Sequence, residues 1–86
     1  MIRVVLADDH PEMRLVLRLL LRLYPEMEVV GEAVNGEEAV LLAAKLEPDV
    51  ILMDVHLPVL SGVPATTLIK MNNPFTSVIG LTAGDP

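Results

Sequence analysis

Val50-Ile51-Leu52-Met53-Asp54 is the stretch that decides the fold: four apolar residues in succession, then a carboxylate. An apolar run without alternation reads as a strand covered on both faces, the position of a central strand in a parallel sheet. On the N-terminal side, Ile2 to Ala7 repeats the pattern and closes on Asp8-Asp9. Glu28 to Ala33 is shorter and more polar, as an edge strand would be. Ser77 to Thr82 supplies a fourth strand.

Between the strands lie helical segments with recognisable ends. Asp9-x-x-Glu12 resembles a capping box and Pro11 suits a first turn, so a first helix is expected from about Pro11 to Tyr24, ended by Pro25. Asn35 caps a second helix with Glu38 completing a box, Ala39 to Leu46 forms its apolar face, and Pro48 closes it. After the turn Pro58 to Ser61, Ser61 is the cap of a third helix running to about Met71. The alternation β-α-β-α-β-α-β calls for right-handed crossovers and an α/β fold with helices on both faces. The flavodoxin-like strand order 2-1-3-4 is expected.

In the first helix Arg14, Arg18 and Arg22 recur every fourth residue as one polar stripe. Met13, Leu15, Val16, Leu17, Leu19, Leu20, Leu21 and Leu23 fill nearly everything else, an unusually wide apolar arc. The expectation is packing on both the sheet and a neighbouring helix; a partner-docking face around Leu17 and Leu21 is the alternative.

The chain has 86 residues, room for one small domain, and 52% of them are hydrophobic, far from a disordered composition. Tyr24 and Phe75 are the only aromatics, so the core must be aliphatic. A net charge of -6 argues against these residues gripping a nucleic-acid backbone. Without cysteine there is no disulfide or thiolate metal site. The apolar runs are too short to span a bilayer and Met1 leads straight into a strand, so a cytoplasmic protein with no membrane partner is expected.

Function in an open parallel sheet collects outside the carboxyl ends of the strands. Here those ends carry Asp8-Asp9, Asp54 and Thr82, which the strand order brings into one crevice. Carboxylates about 5 Å apart repel by roughly 3 kcal/mol per pair at an effective dielectric of about 20. A hard divalent cation such as Mg²⁺ offsets that and supports phosphoryl transfer, and a carboxylate can itself become an aspartyl phosphate. Any single Asp at a strand end is commonly a turn former or helix cap; it is their joint placement that points to chemistry. Dinucleotide binding loses its support because no Gly-x-Gly-x-x-Gly follows the first strand.

Val4-Val5-Leu6-Ala7-Asp8-Asp9-His10, Val50 through Gly62, and Leu81-Thr82-Ala83 together resemble the motifs of two-component response-regulator receiver domains. The Asp8-Asp9-His10-Pro11 start is similar to the NarL/FixJ-like subgroup, which carries a helix-turn-helix DNA-binding domain downstream. The resemblance implies that Asp9 and Asp54 ligate Mg²⁺ directly, Asp8 through water, and His56 through its backbone carbonyl. It implies that Asp54 accepts the phosphoryl group from a sensor histidine kinase, that Thr82 is the switch hydroxyl and that the Ala83 backbone lies near the phosphoryl oxygens. The imidazoles of His10 and His56 are expected to be solvated, since Mg²⁺ prefers oxygen.

The resemblance also implies that residues 1–86 are an incomplete receiver lacking the fifth strand and last two helices, with DNA reached only through a missing C-terminal domain. The family's lysine has no counterpart, because Lys45 and Lys70 fall on helices. An exposed sheet edge then predicts a homodimer, a domain-swapped dimer or disorder near Thr82. The module is not expected to be a turnover enzyme. A phosphohydrolase using an aspartyl nucleophile is the competing chemistry, but His56 stands where it would want an acid; an interaction domain with an inert acidic pocket is a third reading.

Overall fold

The elements are β1 Ile2–Ala7, α1 Pro11–Leu21, β2 Met27–Ala33, α2 Gly36–Leu46, β3 Val50–Asp54, α3 Gly62–Asn72 and β4 Ser77–Leu81. They are seen in a computed structural model that describes residues 1–81, apart from the side chain of Val63. All strand pairings are parallel and the order is β2-β1-β3-β4, the flavodoxin-like order expected. At the edge, β2 carries Val30 as an extra residue between the pairs Val4–Val29 and Val5–Gly31, a bulge that raises local twist.

Alternation along the central strands divides the core in two. Val5, Ala7, Ile51 and Met53 join Ala39 and Ala43 of α2 and Ala65 and Ile69 of α3 in one cluster. The alanines let the helix backbones approach the sheet closely, and the core is aliphatic as expected: Tyr24 and Phe75 are both exposed. On the opposite face Val4 and Leu6 are buried, and α1 packs there over β1 and β2. Over β4 that face is open, with Ile79 half-exposed.

Helix α1 departs from expectation in three respects. It stops at Leu21 because Leu23 and Tyr24 donate to the carbonyls of Leu20 and Leu21, a tightening of the last turn. Its N-cap is His10 with no side-chain cap, so the Asp9–Glu12 box does not form. None of its residues is buried. Arg14, Leu17, Arg18 and Leu21 are the partly covered positions, at helical spacing, whereas Leu15, Val16, Leu19 and Leu20 are exposed. Arg14 and Arg18 therefore turn toward the sheet edge together with Leu17 and Leu21, Arg22 stays exposed, and the rest of the apolar arc turns outward.

The other helices are closer to expectation. Asn35 Oδ1 accepts from the Glu38 amide at 2.7 Å, and Glu38 Oε1 accepts from the Val34 amide at 2.9 Å, one residue before the cap. At the other end Glu47 takes a left-handed conformation, and Arg3 Nη1 donates to the carbonyls of Leu46 at 2.6 Å and Glu47 at 3.2 Å. That places a cation where the helix leaves its acceptors unpaired. Ser61 stands at the N-cap of α3 but makes no side-chain cap.

The loop from β3 to α3 bends sharply at Val59, whose φ is 69°. Leu60 N–H donates to Pro58 O at 2.8 Å, closing a γ-turn around a β-branched residue in a region that β-branched side chains avoid. The loop lies directly on the start of α2: Gly36 N–H donates to Pro58 O at 3.3 Å. A Cβ at Gly36 would overlap the Leu60 carbonyl and come within 2.9 Å of Leu60 Cβ.

Two stability predictions follow from this loop. Val59 is 75% exposed, so Val59→Gly removes strain at little packing cost and should raise stability by about 1 kcal/mol, roughly 5 °C in thermal midpoint. Val59→Ala, which keeps a Cβ, should gain less; a fall in midpoint for Val59→Gly would mean the turn is not strained. Conversely, Gly36→Ala should cost about 2 kcal/mol through overpacking, read by chemical denaturation.

Candidate metal centre

The register of the central strands assembles the acidic site. Ala7 pairs with Met53 across β1 and β3, so the next residues, Asp8 and Asp54, leave the sheet side by side. Asp54 in turn pairs with Leu81 of β4. One ligand atom from each of Asp8, Asp9, His10 and Asp54 lies within 4.8 Å of the others. With Glu12, Met13, Leu17 and Leu81, three members of this group line a cleft of about 450 Å³.

Each carboxylate is held differently. Asp8 is buried; its amide donates to Ala33 O at 3.0 Å, and its Oδ1 accepts from the His10 amide at 2.8 Å. Asp9 is exposed. Asp54 is partly buried and its Oδ1 accepts from the His56 amide at 2.9 Å, which aims the carboxylate along the loop. Gly62 closes the loop beneath it: its amide donates to Val55 O at 3.2 Å, and a Cβ there would come within 2.8 Å of Asp54 O.

The His10 ring is exposed, as expected, but it also contacts the carboxylates. Its Nδ1 lies 3.0 Å from both Asp8 Oδ1 and Asp9 Oδ1. The hydrogen bond to Asp8, reinforced by the charge of Asp9, raises the imidazole pKa above its ordinary value. The protonated ring thus places a positive charge between carboxylates that would otherwise repel one another. His56, by contrast, has an exposed side chain and enters the site through its backbone amide.

The donor set fits a hard divalent cation. Its carboxylate oxygens match the preference of Mg²⁺, and the exposure of Asp9 and the partial exposure of Asp54 leave room for the waters that Mg²⁺ retains. Thr82 and Ala83 lie outside the described residues. Neither lysine is engaged at the site by a described contact: Lys70 Nζ donates to the carbonyls of Pro74 and Thr76, and Lys45 lines a separate hollow with Glu38.

Sequence reasoning missed Arg14 and Glu32. Arg14 Nη1 donates to Asp8 O at 2.7 Å and Arg14 Nε to Glu32 Oε1 at 3.0 Å. Arg18 Nη1 reaches both oxygens of Glu32 at 2.7 Å. The four-residue spacing of the arginines was visible, but not the strand carboxylate that turns them inward.

A doubly wound parallel sheet with clustered carboxylates at the ends of its central strands defines a class of cation-assisted α/β modules. Comparison with known proteins narrows the class. The response regulator receiver domain family matches residues 4–86. Transcriptional regulatory protein LiaR of Bacillus subtilis is 45% identical over 83 residues, covering 96% of this chain and 39% of that protein. A protein-glutamate methylesterase/protein-glutamine glutaminase of Methanospirillum hungatei is 43% identical over 79 residues, covering 92% of this chain and 23% of that protein. Among solved structures, the response regulator domain of Thermotoga maritima CheB superposes with a TM-score of 0.92 at 44% identity, over 96% of this chain and 61% of that one. The NarL receiver domain of Mycobacterium tuberculosis gives 0.89 at 32% identity, over 99% of this chain and 68% of that one. The chain belongs to the response-regulator receiver family, and it spans well under half the length of these two curated relatives.

The geometry around His10 is directly testable. In the metal-free protein the His10 imidazole should titrate above a free histidine by NMR, and Asp8→Asn should bring it down. Because the folded-state pKa is raised, the stability tied to this group is full below the unfolded-state pKa and is lost as pH rises through the folded value. A His10 titration unchanged by Asp8→Asn would refute the contact.

Proposed function

We propose that this chain is the phosphoacceptor receiver module of a two-component response regulator, taking a phosphoryl group on Asp54 from a sensor histidine kinase. The observation that carries this reading is the convergence of Asp8, Asp9 and Asp54 around one point in a solvent-accessible cleft. In the reaction, an Asp54 carboxylate oxygen attacks phosphorus in line, the bond to the donor breaks, and a mixed anhydride forms. Asp9, Asp54 and the His56 carbonyl would hold Mg²⁺ directly and Asp8 through water, and the ion would supply neutralising charge for the transferring group. The His56 amide on Asp54 Oδ1 keeps the nucleophile oriented. Thr82 is assigned the switch hydroxyl and the Ala83 backbone the phosphoryl contact.

The wider assignment goes with it. The module is proposed to act as a switch in the cytoplasm, not as a turnover enzyme, and to control a downstream DNA-binding domain. The identity to LiaR supports that output, while the methylesterase shows the same kind of receiver sequence in a protein of another activity. No helix of the described residues is long and apolar enough to cross a membrane. The outward arc of α1 and the half-exposed Ile79 of β4 support reading residues 1–86 as part of a larger receiver, or as one that self-associates or exchanges strands.

Incubation with acetyl phosphate and Mg²⁺, followed by intact-mass measurement, should show one added phosphoryl group, absent without Mg²⁺ and absent in Asp54→Asn. Modification that persists in Asp54→Asn would overturn the assignment of the nucleophile. Repeated turnover of a simple phosphomonoester would instead favour a hydrolase.

A further inference from the structure

Resting on the receiver reading above, we infer that Arg14 is a positioning residue for the cation site, held in place by Glu32. Three groups define the arrangement. Asp8 N–H is tied to β2 through Ala33 O at 3.0 Å, and Asp8 C=O is tied to α1 through Arg14 Nη1 at 2.7 Å. The peptide joining Asp8 to Asp9 is planar, so a grip on the Asp8 carbonyl also fixes the direction in which Asp9 leaves the strand. Arg14 thereby sets the separation of the two carboxylates without touching either.

Glu32 makes that grip specific. Left alone, a guanidinium beside clustered carboxylates would swing onto one of them and compete with a divalent cation. Here its Nε is committed to Glu32 Oε1 at 3.0 Å, and the Arg14 side chain is only 16% exposed. Arg18 holds the same carboxylate from the next turn at 2.7 Å, keeping Glu32 turned toward α1. Arg18 makes no described contact with Asp8, which separates the two arginines: both dock α1 on β2, and Arg14 alone reaches the site.

The test uses the 86-residue chain. Mg²⁺ affinity is measured from amide NMR shifts of Asp9, His10 and Asp54, beside the thermal midpoint without metal, for Arg14→Ala, Arg14→Lys and Arg18→Ala. Arg14→Ala should weaken Mg²⁺ binding by about 10-fold or more, the usual effect of losing an outer-shell partner. Arg14→Lys, a point charge that cannot serve both partners, should fall between it and wild type. Arg18→Ala, which acts on the site only through Glu32, should weaken Mg²⁺ binding much less than Arg14→Ala while losing a similar amount of thermal stability. If Arg14→Ala is too unstable to measure, Arg14→Lys decides alone: binding equal to wild type overturns the inference. Equal losses in Arg14→Ala and Arg18→Ala overturn it as well, since helix docking would then account for both. A wild-type chain with no Mg²⁺ response overturns the site reading and this inference together, whereas a normal wild-type response untouched by Arg14→Ala overturns the inference alone.

Discussion

Everything at the site depends on the parallel register that sets Ala7 against Met53. Because side chains alternate from face to face along a strand, a slip of one residue would carry Asp54 to the face occupied by α2 and α3, away from Asp8. Val4–Ala7, buried on both faces, and Ile51 and Met53, buried on the α2 and α3 face, resist that slip through their packing. The free energy of hydrophobic burial thus holds like charges together. The hydrogen bond to Asp8, and then the charge of Asp9, raise the pKa of the His10 imidazole set between them.

Much of this was legible in the sequence. The order of strands and helices, the aliphatic core, the Asn35 cap and the grouping of Asp8, Asp9 and Asp54 all follow from local patterns and from the rule that ligands meet at strand ends. The failures share a cause. The Asp9–Glu12 motif matches a capping box, yet Asp8 takes the His10 amide and His10, not Asp9, stands at the N-cap, although the helix starts at Pro11 as expected. Nothing local identifies which of two adjacent carboxylates will take that amide.

Helix α1 is the larger lesson. A stripe of arginines on an otherwise apolar helix reads as its solvent face, and the structure turns Arg14 and Arg18 of that stripe toward the sheet edge. The reason is Glu32, a strand residue 18 positions from Arg14 in sequence, whose carboxylate pairs with Arg14 and Arg18 at once. Periodicity records which residues share a face but not which way the face turns. When the opposing element offers a carboxylate, charge pairing helps set the rotation of the helix, and Leu15, Leu19 and Leu20 are left outside.

The missing side chain at Gly36 has a mechanical consequence. Between the first turn of α2 and the loop that follows Asp54 the approach is close: the Pro58 carbonyl is bonded to the Gly36 amide, and the Leu60 carbonyl and Cβ lie against Gly36. Side chains cushion small displacements by changing rotamer, and on the helix side Gly36 has none to do so. A shift of the loop toward α2 must push the helix end itself, which makes the seam a stiff strut joining the loop after Asp54 to the far wall of the domain.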